Sequence, residues 1–517
     1  MTVCTTFLSL TVATAFGDPM TDVPPDLRGG QVGPIHLAAF DPAPATYGSD
    51  DFHHYAWILD EEQRAQYSDG DAAARREVVR VAFAAIDPTP ATPENERRDE
   101  HFRRVACART MFPRPSPPWW DDRGELIIRY GAPSYRGSSI GGQKEPNREV
   151  WIYSGLQLAF ELEDELLNDR FRLVASRSRK LARADEFLEA PIDFGVPIRA
   201  WGRNDHFPTA FRVPDFEARR VAADYSRLVE RGTQVLRAYP EIHVHDYGGE
   251  WLPVAFDAVS FSSPDSGLTR LEVHTGIRAR DLIYERSGGQ WHATLALDAV
   301  VKTSDYRDVV RTRKTSRDYR LTLDDLEDRL VLDGVDLLLE PGTYRLAISV
   351  RDTTSKRMGT FQRDVEVVEF PSGELAVSGI QTAFGIGAAE AGAPFRKGDL
   401  QVTPWPLARF PRKREVNLYF EIYGLTESPT GDTFFLVEVL LRPREPEKTG
   451  WFGIGGGGST PGVSTSWGGR AQGPIVREHF ALDTEAIGPG TFDVKITVTD
   501  KLGESTAERW TAVTVAE

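Results

Sequence analysis

The residues best placed to do chemistry are acidic and cluster in one stretch. Asp87, Glu94, Glu96 and Asp122 lie along it, with Arg123 beside the last. Two such carboxylates in a cleft would make an acid/base couple of the kind that cleaves glycosidic or peptide bonds. The same groups around an arginine would equally make an ion-pair and capping network, because buried charges persist only when paired and hydrogen-bonded. No spacing supplies a nucleophile or a group to orient one, so the network reading is preferred and no catalytic residue is assigned.

Other constellations are weaker. His243-Val244-His245 sets two imidazoles on one side of a strand, a candidate metal edge, but no third ligand follows at a useful spacing. They read as polar residues at a strand start, and His53-His54 as solvated; no metal and no cofactor is expected. Cys107, amid apolar helical neighbours, reads as a small buried hydrophobe and not a nucleophile. The run Trp451-Phe452-Gly453 to Gly458 lacks the Gly-Lys-Ser/Thr ending of a phosphate loop and sits between strands. Residues 453–473 read as a long mobile hairpin loop, with Trp451, Phe452 and Trp467 as a candidate binding loop for a protein or glycan. Arg412-Lys413-Arg414 reads as a solvated strand edge.

Size and charge bound the elements that must carry these residues. A chain of 517 residues is too long for one core, and about three domains are expected. Lys plus Arg number 61 and Asp plus Glu 77, a net −16 that repels phosphate backbones and argues against nucleic acid as a partner. Residues 1–17 are apolar and small-ended like a secretory signal, though without the basic residue that should precede the apolar core. Removal of that segment would take Cys4 with it and leave no internal disulfide. No uninterrupted apolar run is long enough for a transmembrane span.

Residues 18–50 are rich in Pro, Gly and Asp and read as a linker. Structure is expected from Phe52. Asp60 with Gln63 predicts a capping box, and Val78, Val79, Ala82, Phe83 and Ile86 mark one face of a helix. The Pro88–Pro93 loop stops that helix. Thr92 is then expected to cap the next, with Pro93 at its first position and Glu94 and Glu96 at its positive end. Met111–Pro118 is Pro-rich and extended. Glu125–Tyr130, Val150–Tyr153 and Leu156–Glu161 read as short strands, with 137–147 a polar loop.

These pieces occur in an order that resembles a known family. Asp87-Pro88-Thr89-Pro90, Thr92-Pro93-Glu94-Asn95-Glu96, Arg104, Trp119, Asp122-Arg123-Gly124, Tyr130-Gly131-Ala132-Pro133 and Trp151-Ile152-Tyr153 resemble the GWxTD-domain proteins of the bacterial envelope. The likeness spans roughly residues 56–173. Pro118 stands where the family has Gly, and Asp121 where it has Thr; either side chain can cap a turn, so the fold should survive the change. The resemblance implies a structural role for these residues and an exported protein of no established activity. Tyr130-Gly131-Ala132-Pro133 followed by Trp151-Ile152-Tyr153 is also similar to small outer-membrane lipoproteins that assist β-barrel assembly.

A helical connector at 201–240 is expected, with Val221, Tyr225, Leu228 and Val229 on one face. From there the chain repeats. Pro341-Gly342-Thr343-Tyr344 and its alternating continuation correspond to Pro489-Gly490-Thr491-Phe492, 148 residues later (489 − 341), which predicts two related immunoglobulin-like β-sandwiches over 241–371 and 372–517, joined at Pro371-Ser372-Gly373. The expected fold is multidomain α+β: helices with a small antiparallel sheet over 51–200, then two all-β sandwiches. The expected function is a non-catalytic exported envelope protein, periplasmic or on the outer surface, acting as a scaffold or interaction module through protein or polysaccharide partners. The alternatives are a hydrolase of envelope carbohydrate or peptide, and a carbohydrate-binding sandwich protein.

Overall fold

The computed structural model describes residues 34–40, 51–139, 146–174, 227–236, 242, 243, 245, 250–263, 266–320, 322–324, 326, 329–407, 409–444 and 463–516. The expected signal segment and the tip of the aromatic loop, with Trp451 and Phe452, lie outside these residues. The chain divides into two compact units: residues 1–87 with 95–245, and residues 88–94 with 246–517. No helix among the described residues is long and apolar enough to cross a membrane.

The first unit is helices on a small sheet. Helix α1 (Glu61–Asp69) starts at the expected capping box: Gln63 N donates to Asp60 Oδ1 at 2.8 Å, and Asp60 N to Gln63 Oε1 at 3.0 Å. Helix α2 (Ala72–Ala85) is capped by Asp71 and buries Ala82 and Phe83. Helix α3 (Glu96–Met111) begins later than expected. Asn95, not Thr92, is its cap, accepting from Arg98 N at 2.8 Å. Thr92 is already engaged, its hydroxyl bonded to the Thr89 carbonyl at 2.8 Å, and Glu94 lies outside the helix while Glu96 is its first residue.

Glu125–Tyr130 is not a strand. It belongs to helix α4 (Asp122–Tyr130), capped by Asp121 and closed at Gly131, whose φ of 80° suits a residue without Cβ. Glu125 and Arg129 bridge one helical turn at 3.0 Å. The sheet is formed by β1 (Tyr135–Ser139), β2 (Asn147–Tyr153), β3 (Leu158–Asp164) and β4 (Arg172–Leu173), antiparallel in that order. The polar loop expected at 137–147 therefore lends residues at both ends to strands. Leu126, Ile127 and Cys107 pack on one sheet face against Trp151, Tyr153 and Phe160. Tyr135, Val150, Ile152 and Ala159 on the other face meet Leu228 and Val229 of α5 (residues 227–236). The described part of the expected connector thus packs within the first unit. So does a piece of the expected linker: Ile35 is buried in the same core, with Leu37 and Phe40 against it, because three apolar side chains at that spacing cover the core edge.

The second unit holds two sandwiches, with three- and five-stranded sheets in the first and six- and four-stranded sheets in the second. In the first, β5 (Ala255–Ser263), β6 (Leu268–Arg278) and β10 (Leu330–Leu339) form one sheet. The facing sheet has β7 (Glu285–Ser287), β8 (Gln290–Lys302), β9 (Asp308–Arg320), β11 (Gly342–Asp352) and β12 (Met358–Val367). The second contains β13 (Ala376–Val377), β14 (Gln381–Ala388), β15 (Arg396–Lys397), β16 (Leu400–Pro404), β17 (Glu415–Tyr423) and β20 (Ile475–Asp483) in one sheet. Its other sheet has β18 (Asp432–Pro443), β19 (Val463–Gln472), β21 (Gly490–Asp500) and β22 (Thr506–Val515). The repeated segments are β11 with β12 and β21 with β22, paired alike in both copies. In β21, burial alternates as expected, Val494, Ile496 and Val498 facing the core. In β11 it does not: Ala347 and Ser349 on the opposite face are also buried. The segment Pro88–Glu94 accounts for Ala347, since Ala91 packs on it and on Val300, and Arg311 Nη1 donates to the Ala91 carbonyl.

Two further expectations change. Val463–Gln472 is a strand, not a loop, because it pairs along β18 with Trp467 opposite Val437. Arg412-Lys413-Arg414 is a turn before β17, with Lys413 at φ 62°, and not a strand edge.

Candidate functional site

The polar centre of the first unit is Arg123. Its position follows from local structure: Asp121 caps α4, so the side chain two residues on turns back toward the cap. Asp121 accepts from Arg123 N at 2.9 Å, from Arg123 Nε at 3.0 Å and from Nη2 at 2.8 Å, and also from Phe171 N at 3.1 Å. The rest of the guanidinium reaches across the sheet to Glu149 at 3.2 Å, the Asp169 carbonyl at 2.9 Å and the Asp169 carboxylate at 3.0 Å. Phe171 and Phe112 lie 4.2 and 4.7 Å from its carbon. Arg123 itself is 4% exposed. Burial works against its charge, but Asp121, Glu149 and Asp169 outweigh it and hold its pKa above the usual arginine value.

Glu149 is the second node. It accepts from Arg136 Nη2 at 3.3 Å and from Trp151 Nε1 at 2.7 Å, and Arg136 stacks 5.0 Å from the Trp151 ring. Asp122, one residue past the cap, accepts from Leu173 N at 2.7 Å, which ties β4 to the helix. Burial pushes its carboxyl upward, against that hydrogen bond and the charges of Arg114 and Arg172.

The network around Arg123 differs from the expected one in its members. Asp122 and Arg123 are in it. The charges that hold Arg123 are Asp121, Glu149 and Asp169 and not Asp87, Glu94 or Glu96, and Glu94 sits with Pro88, Pro90, Thr92 and Pro93 in the segment that groups with the second unit. Asp121, Arg136, Glu149 and Asp169 are added. The available signal was Glu149 two residues before Trp151, which puts a carboxylate on the same inward sheet face as the indole.

Several other signature residues make packing and hydrogen-bond contacts. Trp119 Nε1 donates to Asp51 Oδ2. Gly124 lies against Trp120, where an added Cβ would come within 2.6 Å of the Trp120 Cβ. Tyr130 stacks on Phe160 at 5.2 Å, and burial pushes its phenol up to about 12. Tyr153 OH donates to the Gly131 carbonyl at 3.1 Å, beside Pro133 in the turn into β1. Arg104 bridges Glu100 at 2.9 Å and donates to the carbonyls of Ile128 and Ile242 at 3.3 and 3.4 Å, its guanidinium lying against Gly131.

The histidines differ from expectation. His243 is half-buried beside Arg104, Nδ1 3.5 Å from Nη2, and not an exposed residue at a strand start. Burial, with Arg97 and Arg104 adding to it, lowers its pKa to about 3. His54, expected in solvent, is buried and stacks on Trp120 at 6.0 Å. His101 was not anticipated; it is fully buried and its Nε2 donates to the His54 carbonyl at 2.7 Å. Among the described residues no group of three or more His, Cys, Asp or Glu is arranged to hold a metal ion. Cys107 is buried, and desolvation raises its thiol to about 12, which suppresses the thiolate a nucleophile needs. Of the candidate binding loop, only Trp467 is described; it packs on the second sandwich core and donates to Glu478 Oε2 at 3.1 Å.

No family model matches the chain, and no curated protein matches it. Among solved structures it is similar to Escherichia coli alpha-2-macroglobulin activated by porcine elastase, at 9% identity and a TM-score of 0.14. That match covers 53% of this chain and 23% of the other, and a likeness at that score bears on neither fold nor function.

Proposed function

We propose that this chain is a non-catalytic interaction protein of the bacterial cell envelope, akin to the GWxTD-domain family, working through protein or polysaccharide contacts. One observation carries the reading: three carboxylates around α4 and β2, Asp121, Asp122 and Glu149, are committed to fixed partners. Asp121 is held by Arg123 and two backbone N–H groups, Asp122 by Leu173 N, and Glu149 by Arg123, Arg136 and Trp151. A hydrolytic pair needs one carboxyl free to give a proton and another to receive one or to attack, in a cleft that admits substrate. Groups saturated by arginine and backbone donors instead fasten α4, β2 and β4 together. The carbohydrate-binding reading asks for exposed aromatics side by side on one sheet face. Among the described strands, exposed Tyr319 stands on β9 of the first sandwich, and exposed Phe434 and Trp510 stand on β18 and β22 of the second, which β21 separates.

The test uses the full chain. Incubated with purified envelope glycan and peptide polymers, it should release no soluble fragments, while affinity capture from native envelope should retain a defined protein or polysaccharide. Fragment release that disappears in Asp122→Asn would overturn the proposal. Recovery of the native protein only from the cytoplasm would remove the envelope part of it.

A further inference from the structure

The chain passes between the sandwiches through Pro371-Ser372-Gly373, an exposed turn with Gly373 at φ 79°. Such a turn by itself would permit swinging. The surfaces on either side of it do not. Val259 and Phe261 of β5 share a buried cluster with Ala383, Val402 and Tyr419 of the second sandwich. Gly379 N donates to the Ser260 carbonyl at 2.7 Å, an approach so close that a Cβ at 379 would come within 2.6 Å of Val259 Cγ1. Ser262 N donates to the Tyr423 hydroxyl at 3.0 Å, and that hydroxyl donates to Glu421 at 2.7 Å.

Charge is buried at the same place. Lys397 of β15 is 5% exposed; its ammonium lies 3.5 Å from the centroid of the Phe261 ring and bonds Glu272 of β6. Glu272 also meets Arg270 Nε at 2.9 Å and His274 Nε2 at 3.4 Å, and the His274 ring sits edge-on to Phe395 at 5.8 Å. The cation belongs to one sandwich and its carboxylate to the other.

We infer that the two sandwiches are held at one fixed angle by the buried Lys397–Glu272 pair, so that they act as a single rigid body and not as hinged modules. A buried pair of this kind adds little net affinity over an apolar contact, but it is selective. Phe261 and Glu272 both belong to the first sandwich, so a shift of the second that kept the apolar surfaces together would leave the Lys397 ammonium buried without its carboxylate. Burial opposes the Glu272 charge, yet His274 and Lys397 outweigh it and hold the carboxyl down at about 2, so the carboxylate stays ionised across the neutral range, while burial lowers the Lys397 ammonium against the pull of Glu272. This inference stands apart from the proposed function and survives its failure.

The experiment measures the angle directly. Spin labels are placed on the full chain at the exposed positions Ser287→Cys and Lys501→Cys, with Cys4→Ser and the buried Cys107 left in place. The parent protein should give one narrow distance distribution. Glu272→Gln, which strands the Lys397 ammonium, should lose that narrow peak. Glu272→Gln with Lys397→Met, which removes both charges and keeps the apolar contacts, should restore it. A broad distribution in the parent protein overturns the rigid joint. A narrow peak retained in Glu272→Gln overturns the assignment of the lock to this pair. Near-ultraviolet circular dichroism on each variant separates loss of the joint from loss of fold.

Discussion

Replacing Arg123 by methionine tests the network reading most directly. Methionine keeps much of the side-chain volume between Phe112 and Phe171 but removes every donor. Asp121 keeps two backbone N–H donors, and Glu149 keeps Arg136 and Trp151, but both carboxylates lose their main counter-charge. Breaking a buried ion pair from one side costs about 3–5 kcal/mol, and the surviving donors place the expected value near 4. With a urea dependence of about 2 kcal/mol per molar for a unit of this size, the midpoint should fall by about 4/2, or 2 M. The transition is followed through the fluorescence of buried Trp120 and Trp151, which report on the first unit. Arg148→Met is the control: Arg148 is part-exposed and bridges Glu163 at 3.1 Å, so its loss should cost less than about 1 kcal/mol. If Arg123→Met shifts the transition no more than Arg148→Met, the network does not hold these elements together and the case against a working acid/base pair loses its basis.

Three other outcomes are expected. Asn95→Ala should destabilise the first unit by about 1 kcal/mol through loss of the α3 cap, while Thr92→Ala should leave that unit's unfolding transition in place; both are read by urea unfolding. Gly124→Ala should cost about 1–3 kcal/mol, because the new methyl group collides with Trp120 on a helix that cannot move off the sheet, and thermal unfolding will show it. Acidification should weaken the first unit through its buried histidines. The pKa values of His54, His101 and His243 all lie below 6.5 in the fold, so the unfolded chain binds more protons. Stability should therefore be full above about pH 6.5 and decline as pH falls from there toward 5, which a denaturant series at graded pH measures.

Much of the architecture was readable from local chemistry. The Asp60–Gln63 box, the apolar face of α2 and the paired repeats at Gly342 and Gly490 each depend on neighbours a few residues apart or on strict alternation. The chain around them has little power to change those signals. The charged centre was half readable: Asp122 and Arg123 were singled out, but their partners Glu149 and Asp169 are 26 and 46 residues beyond Arg123, and only folding brings them near.

The missed helix shows where local reading ends. Leu126-Ile127-Ile128 is a short apolar run, and periodicity cannot assign such a run to a strand or a helix. All three are fully buried, because α4 has the sheet on one side and α3 with Trp120 on the other, and the helical period shows only in the polar residues around them, where Glu125 and Arg129 pair four residues apart. The amino-acid sequence on its own determined which segments cap, turn and alternate. Only the tertiary structure decided that α4 is a helix, that Pro88–Glu94 belongs with the first sandwich, and that Lys397 meets Glu272. Each of these depends on burial by residues far away in the chain, and burial is a property of the packed molecule.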